Sequence, residues 1–202
     1  MEGVRIGDGA LGGRGVYAAR DFAAGEVVVA YRLRELDAAG YAALPPGEHL
    51  FVHSYWGRRY LYPAPARYVN HADDPSCYQD FERGCDVALR PLRAGEAVTI
   101  DATQETDREL ATFLEAYARS PERLPELVDA GAVAWRHGVA LRGRDAVVAA
   151  LLRDDRALHD VAWLIGTGRW EALCSARCGE HHLSMLLRVV AGNWQVVYQH
   201  TA

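Results

Sequence analysis

Two stretches of the sequence, RYVNHADDPSC at residues 67–77 and GEAVTIDA at residues 95–102, decide how the N-terminal half is interpreted. The first places an amide, an imidazole and a proline in one short polar segment, which favours a loop. The second has the small and β-branched residues of a short strand behind a Gly-Glu turn. Together they have the form of a functional loop beside a supporting strand.

The residues up to about 102 form short apolar runs bounded by glycine, proline and polar turn residues, with little sustained helical period. The runs have the length of single strands and therefore predict a mainly β domain. They are GVYAA, EVVVAY, HLFVHSYW, RRYLYP, DVALRPL and EAVTI.

From Asp107 onward the apolar residues recur at helical spacing, which predicts a first helix through Leu110, Phe113, Leu114 and Tyr117. Ser120-Pro121-Glu122 is a typical start for a second, short helix. Residues 143–153, GRDAVVAALLR, predict a third helix.

Four strands follow the third helix, and the last two alternate apolar and polar residues most clearly. Helices followed by a curved antiparallel sheet predict an α+β domain. The polar segment TQETD at 103–107 is interpreted as a linker, so the predicted domains are residues 1–104 and 105–202. The predicted strands are 159–166, 169–178, 181–191 and 193–201.

The charge balance of the 202-residue chain, a net charge of -5 with a pI near 5.9, argues against nucleic acid as the main partner. All 22 basic residues are arginine, so the chain has no lysine that could serve as its own substrate. The N-terminus lacks an apolar run, and no apolar stretch approaches the roughly 20 residues that span a bilayer. We therefore expect a cytoplasmic protein without a membrane partner.

Four cysteines, Cys77, Cys85, Cys174 and Cys178, are too few and too scattered to predict a disulfide framework, which agrees with a reducing compartment. Cys174 and Cys178 precede His181 and His182, a grouping that could suggest zinc. On a continuous strand at about 3.3 Å per residue, however, the two cysteines would lie too far apart for one ion. We interpret them as small buried residues of a sheet and predict no metal.

A glycine-rich segment, Gly12-Gly13-Arg14-Gly15, directly precedes the predicted strand GVYAA. Glycine there permits either a close approach of the backbone to a ligand or a turn with positive φ. The segment alone does not distinguish a ligand-binding loop from a plain β-turn.

Taken in order, GRGVYAARDFAAGEVV, RYVNHADDPSC and VALRPLRAGEAVTIDA resemble the SET-domain family of protein-lysine methyltransferases over residues 3–102. The resemblance implies a mainly β SET-like fold of short strands with knot-like threading of its C-terminal segment. It also implies S-adenosylmethionine as cofactor, and a protein lysine or a small amine as substrate.

The resemblance carries the cofactor-binding roles of the family to particular residues of this chain. The backbone of Gly13, Arg14 and Gly15 would contact the methionine part of S-adenosylmethionine. Asn70 and His71 would hold its adenine and amino ends, and Arg67 and Tyr68 stand at the Arg-aromatic lead-in to that pair. An alternative is that Asn70 and His71 only cap backbone groups of their loop.

The chain departs from the family pattern at the residue that matters most for chemistry. The family's last motif ends in Asp-Tyr, whereas this chain has Asp101-Ala102. The absent phenol would orient the reacting groups, a contribution worth about 10²–10³-fold in rate. Tyr60, Tyr62 and Tyr78 lie nearby in sequence, and Tyr78 is the predicted catalytic substitute.

Two N-terminal helices are followed by a WRHG strand at 135–138, an LRGRDAV entry into the third helix at 141–147 and a closing GNWQVVYQH strand at 192–200. With these features residues 107–202 resemble the NTF2-like (SnoaL-like) family, cone-shaped α+β domains that hold a pocket between helices and sheet. Such a domain would serve as a lid over the cofactor, or as a platform for a homodimer. Its candidate pocket residues are His137, Asp160, Arg177, His182, Tyr198 and His200. Asp160 would be a general base if it were buried.

Two function classes follow from these patterns. The first is an S-adenosylmethionine-dependent protein-lysine or amine methyltransferase of the SET type. The second is a repurposed SET scaffold that binds or acts on a small molecule, through the pocket of the second domain or at the domain interface.

Overall fold

The structure, a computed structural model, describes residues 3–9, 12–154, 156–168 and 170–202. The chain groups into two compact units, each built from three separate segments. The N-terminal unit comprises Met1–Glu35, Leu50–Val52 and Tyr60–Thr106. The C-terminal unit comprises Leu36–His49, His53–Arg59 and Asp107–Ala202.

The first half of the chain is mainly β, as the short apolar runs predicted. Its strands form a four-stranded sheet of order β1-β2-β10-β7 and two three-stranded sheets of order β3-β9-β8 and β4-β6-β5. The strands are β1 (Val4–Asp8), β2 (Arg14–Ala18), β3 (Val27–Ala30), β4 (Arg34–Leu36), β5 (Val52–Tyr55), β6 (Arg58–Leu61), β7 (Asn70–His71), β8 (Cys77–Asp80), β9 (Cys85–Ala88) and β10 (Ala97–Ile100).

Strand β10 brings the two diagnostic stretches of sequence together in the N-terminal unit. It pairs antiparallel with β2, where Val98 faces Val16, and parallel with β7, where Thr99 faces Asn70. The glycine-rich segment, the 67–77 loop and the 95–102 strand therefore meet in one sheet.

The helices are α1 (Ala38–Ala42), α2 (Thr103–Arg119), α3 (Leu124–Leu127) and α4 (Arg144–Leu151), and short 3-10 turns cover Glu48–Phe51, Ala66–Tyr68 and Pro121–Arg123. The prediction that TQETD is a linker was wrong, because these residues form the start of α2. The Asp101 carboxylate accepts hydrogen bonds from the backbone N–H of Thr103 at 3.0 Å and from its hydroxyl at 2.6 Å. A side chain that satisfies a free donor at a helix start stabilises that start. None of the helices in the described ranges is long and apolar enough to cross a membrane.

The second half of the chain carries a six-stranded sheet of order β12-β11-β16-β15-β14-β13. The prediction of an antiparallel sheet was wrong at one place, because β11 and β16 run parallel. The long connection through α4 and four further strands supplies the crossover that a parallel pair requires. The predicted strand 169–178 begins at Glu171 among the described residues, and Arg169 lies outside them. The strands are β11 (Val128–Arg136), β12 (Val139–Arg142), β13 (His159–Ile165), β14 (Glu171–Cys178), β15 (His181–Val190) and β16 (Asn193–Thr201).

The core of the C-terminal unit lies between this sheet and the helices. The predicted face of α2 is buried, as are alternate residues of β15 and the large Trp194 of β16. Burial of this apolar surface is the main force that holds helices against the sheet. The buried α2 residues are Leu110, Phe113, Leu114 and Tyr117.

The hairpin between β15 and β16 turns at Ala191 and Gly192, which both have positive φ, of 46° and 76°. A Cβ added to Gly192 would lie 2.5 Å from Cε2 of Tyr41 in the same unit. We expect Gly192→Ala to destabilise the unit by about 2–4 kcal/mol, because backbone strain and overpacking add. The measurement is the free energy of unfolding in urea.

Gly179 is the matched control for this substitution. It also has positive φ, of 59°, but an added Cβ would have no atom within 4 Å. Gly179→Ala should therefore cost only the backbone term, about 1 kcal/mol. Equal losses from the two variants would contradict the steric contribution.

Candidate functional site

The glycine-rich segment forms the turn that leads into β2. Gly12 and Gly13 have φ values of 92° and 69°, and a Cβ at either position would have no atom within 4 Å. Gly15 is different, because a Cβ there would lie 3.3 Å from Nδ2 of Asn70 and 3.2 Å from Cα of Gly9. The absence of a side chain at Gly15 thus leaves room for Asn70 to approach the backbone.

Asn70 and His71 are held from both sides, by a backbone carbonyl of the glycine-rich segment and by the backbone N–H of Ala102 just after β10. The Asn70 amide donates to the carbonyl oxygen of Arg14 at 3.2 Å. The backbone N–H of Ala102 donates to Nδ1 of His71 at 3.2 Å, which leaves Nε2 as the ring nitrogen that carries the proton in neutral histidine. The Nε2 atom lies 3.4 Å from the exposed carboxylate of Asp73.

Two arginines and two aromatic rings flank this pair. The guanidinium of Arg14 lies 5.4 Å from the ring centre of Tyr68, and that of Arg67 lies 4.6 Å from the ring of Phe51 and 5.9 Å from Tyr68. Nε of Arg67 also donates to the carbonyl of Tyr62 at 2.8 Å. The predicted residues Gly13, Arg14, Gly15, Arg67, Tyr68, Asn70 and His71 therefore form one contiguous group.

Ser76 lies at the end of the loop that follows Asn70 and His71, and its side chain is hydrogen-bonded to β10. Its buried hydroxyl donates to the carbonyl of Ala97 at 3.1 Å and accepts from the backbone N–H of Thr99 at 2.9 Å. The hydroxyl of Thr99 in turn accepts from the backbone N–H of Ser76 at 3.0 Å. Ser76 thus fixes the end of the loop to β10.

Ala102, at the position where the resemblance implies a tyrosine, lies between β10 and α2. Its backbone N–H contacts His71, but its methyl group offers neither a donor nor an acceptor. The Asp101 carboxylate beside it caps α2, and the hydrogen bonds from the side chain and backbone of Thr103 lower the pKa of Asp101.

A pair in the N-terminal unit, the half-buried Tyr31 and the buried Asp86, was missed by the sequence reasoning. The Tyr31 hydroxyl donates to Oδ1 of Asp86, and the Tyr31 ring lies 5.3 Å from that of Tyr62. Asp86 is only 1% exposed, and burial raises its pKa to about 7. Burial and the Asp86 charge raise the pKa of Tyr31, so the phenol keeps its proton at neutral pH.

The Asp86 pKa gives a testable dependence of stability on pH. Between about pH 4 and pH 7 the folded protein holds a proton on Asp86 that the unfolded chain has lost, so stability falls as pH rises. The loss should reach the order of 4 kcal/mol above pH 7. Asp86→Asn should remove this loss of stability with rising pH and raise the free energy of unfolding at pH 8, as measured in urea.

The exposed Asp74→Asn variant is the control and should retain the wild-type pH dependence. Parallel pH profiles for the wild type and Asp86→Asn would contradict the shifted pKa.

The other tyrosines named from the sequence occupy different surroundings. Tyr78 lies on β8 between the buried Cys77 and Gln79 and is 41% exposed. Tyr62 is buried beside Tyr31. Tyr62 therefore contacts Tyr31 of the Tyr31–Asp86 pair, whereas Tyr78 presents much of its ring to solvent.

In the C-terminal unit, a cavity of about 320 Å³ lies between α2, α4 and the end of the sheet. Of the six polar residues expected in a pocket there, only His137 lines this cavity. Tyr198 and His200 alternate with Gln199 and Thr201 along β16, and the latter two line the cavity. Side chains alternate between the two faces of a strand. The prediction of Tyr198 and His200 therefore chose the face of β16 that does not line the cavity.

Asp160 is exposed and pairs with Arg177, whose Nε lies 3.0 Å from its carboxylate. The burial on which a general-base role depends is therefore absent. Arg177 and His182 face each other across the β14–β15 ladder. Within the described ranges no group of three or more histidine, cysteine, aspartate or glutamate side chains could hold a metal ion.

Residues 13–101 match the family model of the SET domain. The resemblance found in the three sequence motifs is thus confirmed for this segment. The search of curated proteins found no match.

Several solved structures share partial similarity with the chain. A Plasmodium falciparum protein, provisionally named a histone methyltransferase, has 16% identity and a TM-score of 0.40, with 50% of this chain and 93% of that chain covered. A humanized mutant of the Chaetomium thermophilum Polycomb Repressive Complex 2 has 21% identity and a TM-score of 0.39, with coverage of 50% and 15%. A Caulobacter vibrioides protein with a cystatin-like fold has 17% identity and a TM-score of 0.38, with coverage of 50% and 88%.

Proposed function

We propose that the chain, whose residues 13–101 match the SET domain, binds S-adenosylmethionine and transfers its methyl group to a lysine side chain or a small amine. The observation that carries this proposal is the contiguous group from Gly13 to His71 around the junction of β2, β10 and β7. Its residues offer a separate partner for each polar part of the cofactor.

The residues fit this cofactor in both shape and charge. The space beside Gly15 would be filled by a Cβ, so only glycine lets a ligand or Asn70 approach the backbone there. Arg14 and Arg67 supply positive charge for the carboxylate of the methionine part. Asn70 and His71 have the donors and acceptors that an amino group and an adenine edge require. When bound, S-adenosylmethionine supplies an activated methyl group on a sulfonium.

The phenol for orienting the acceptor amine is proposed to come from Tyr31 instead of residue 102. Its proton is donated to Asp86, which leaves the oxygen lone pairs to accept a hydrogen bond from the amine. Tyr31 contacts Tyr62, whose carbonyl holds Arg67 of the cofactor group. Tyr78 stays a second candidate for this role.

Calorimetric titration with S-adenosylmethionine is the first test of the proposal. Asn70→Ala should weaken binding by about 10–100-fold, because it removes hydrogen bonds to a charged ligand and the contact that orders the glycine-rich segment. Asp74→Ala, which changes an exposed residue of the same loop, should leave the affinity within about threefold of the wild type.

If S-adenosylmethionine at millimolar concentration gave no heat of binding and did not compete with another ligand, the methyltransferase proposal would be contradicted. If the cofactor binds, transfer of a labelled methyl group to peptides and small amines measures turnover. Because the chain contains no lysine, label in the protein itself cannot come from lysine self-methylation.

A further inference from the structure

Three residues that line the 320 Å³ cavity of the C-terminal unit carry a buried polar atom without a hydrogen-bond partner among the described residues. One is Asp154, whose Oδ2 is ion-paired with Arg136, and the other two atoms are donors. They are Nε of Arg136 and the hydroxyl oxygen of Thr201. The Arg136 side chain is 14% exposed, and Thr201 is 9% exposed. A buried polar group without a partner is unfavourable, so it is rare unless something binds to it.

The fold places these two residues side by side on neighbouring strands. Arg136 and Thr201 are register partners in the parallel ladder of β11 and β16. Paired residues of neighbouring strands project their side chains to the same face of a sheet. A guanidinium N–H and a hydroxyl are thus adjacent donors, which is the arrangement that a carboxylate oxygen accepts from.

The charge of the cavity has the opposite sign to that of the whole protein. Its described lining residues include three arginines, Arg136, Arg153 and Arg156, and one aspartate, Asp154. Asp154 pairs with Arg136, so a positive excess remains inside a chain of net charge -5. A partly enclosed cavity of one sign attracts small ions of the other sign.

The remaining walls of the cavity are apolar. Leu151, Leu158 and Leu183 line it together with the ring of Tyr117, whose hydroxyl is already bonded to Gln199 at 2.7 Å. The volume lies at the lower end of the range for small-molecule sites. The ligand should therefore have one anionic group and a compact apolar body.

We propose that this cavity binds a small monocarboxylic acid with an aromatic or branched aliphatic body. The carboxylate receives hydrogen bonds from Arg136 and Thr201, and the body packs against the leucines and Tyr117. The site lies within the C-terminal unit and does not depend on methyl transfer by the SET domain.

Calorimetry of the full chain with benzoate, phenylacetate and 3-methylbutanoate tests the site, with benzamide as the neutral counterpart of benzoate. We expect at least one of the carboxylates to bind, and benzoate to bind at least tenfold more tightly than benzamide, because the amide lacks the charge. Arg136→Gln should weaken carboxylate binding by at least tenfold and Thr201→Val by about three- to tenfold. Arg142→Gln, an exposed arginine on neighbouring β12, is the matched control and should change nothing.

Arg136→Gln leaves Asp154 without its cation, so folding is checked by circular dichroism and thermal unfolding. If that variant does not fold, Thr201→Val alone decides. No carboxylate binding up to about 10 mM, equal binding of benzoate and benzamide, or unchanged affinity in Thr201→Val and any folded Arg136→Gln would overturn the proposal. Binding of inorganic phosphate without any of the carboxylates would overturn it as well. Asn70→Ala should leave carboxylate affinity unchanged, which separates this site from the cofactor site.

Discussion

Tyr31→Phe is expected to lower the rate of methyl transfer by about 10²–10³-fold, while the affinity for S-adenosylmethionine stays within about threefold of the wild type. The substitution removes only the phenol oxygen, and the ring that packs against Tyr62 remains. In-line transfer to an amine depends on the alignment of its lone pair with the donor methyl, so the loss should fall on kcat. Single-turnover kinetics with saturating cofactor measures it.

Tyr78→Phe is the matched comparison for this experiment. A large loss in Tyr78→Phe with a normal rate in Tyr31→Phe would identify Tyr78 as the acting phenol. It would also contradict the role proposed for Tyr31.

Asp86→Asn distinguishes a catalytic role of the Tyr31–Asp86 pair from a purely structural one. It retains an acceptor for the Tyr31 hydroxyl but removes a group that titrates near pH 7. Its pH–rate profile should therefore lose the step near pH 7, which a purely structural role of the pair would leave unchanged.

Glu109→Ala is expected to destabilise the C-terminal unit by about 3–5 kcal/mol. The buried carboxylate accepts hydrogen bonds from the indole of Trp194 at 2.8 Å, from the backbone N–H of Ser54 at 3.1 Å, and contacts Nδ1 of His53 at 3.0 Å. Alanine leaves the indole N–H of Trp194 and the backbone N–H of Ser54 buried without this acceptor, and each unsatisfied donor costs about 1–3 kcal/mol. Urea unfolding followed by circular dichroism measures the change.

Glu115→Ala on the same helix tests whether burial is the cause. Glu115 also accepts from an indole, that of Trp56 at 3.0 Å, but it lies at the surface. Solvent can replace that bond, so the variant should lose less than about 1 kcal/mol. Similar losses in the two variants would contradict the importance of the buried network.

Local periodicity made much of the C-terminal sheet predictable. The alternation in residues 181–201 predicted β15 and β16 to within a residue at their ends, because one face of each strand must pack on the helices. The same alternation does not tell which face is the inner one at the end of a strand. That is why Tyr198 and His200 were chosen where Gln199 and Thr201 line the cavity.

Pairs of residues that are distant in sequence were not predictable. Tyr31 and Asp86 are separated by 55 positions, and Glu109 and Trp194 by 85. Neither pair has a periodic signal, since the contact arises only after strands and helices have packed. The SET motifs grouped the glycine-rich segment with Asn70 and His71 because the motifs are fixed in order along the chain, and Asn70 does contact Arg14. The motifs gave no indication of which tyrosine would supply the proposed phenol.

The division of each unit into three chain segments has a consequence for the order of events during synthesis. Residues 36–49 and 53–59 leave the ribosome long before residues 107–202, with which they form one compact unit. The hydrogen bonds of Ser54 to the side chains of Glu109 and Asn193 can therefore form only after those residues have been synthesised. The N-terminal unit, whose last segment ends at Thr106, can therefore be complete while residues 36–49 and 53–59 still lack most of their own unit.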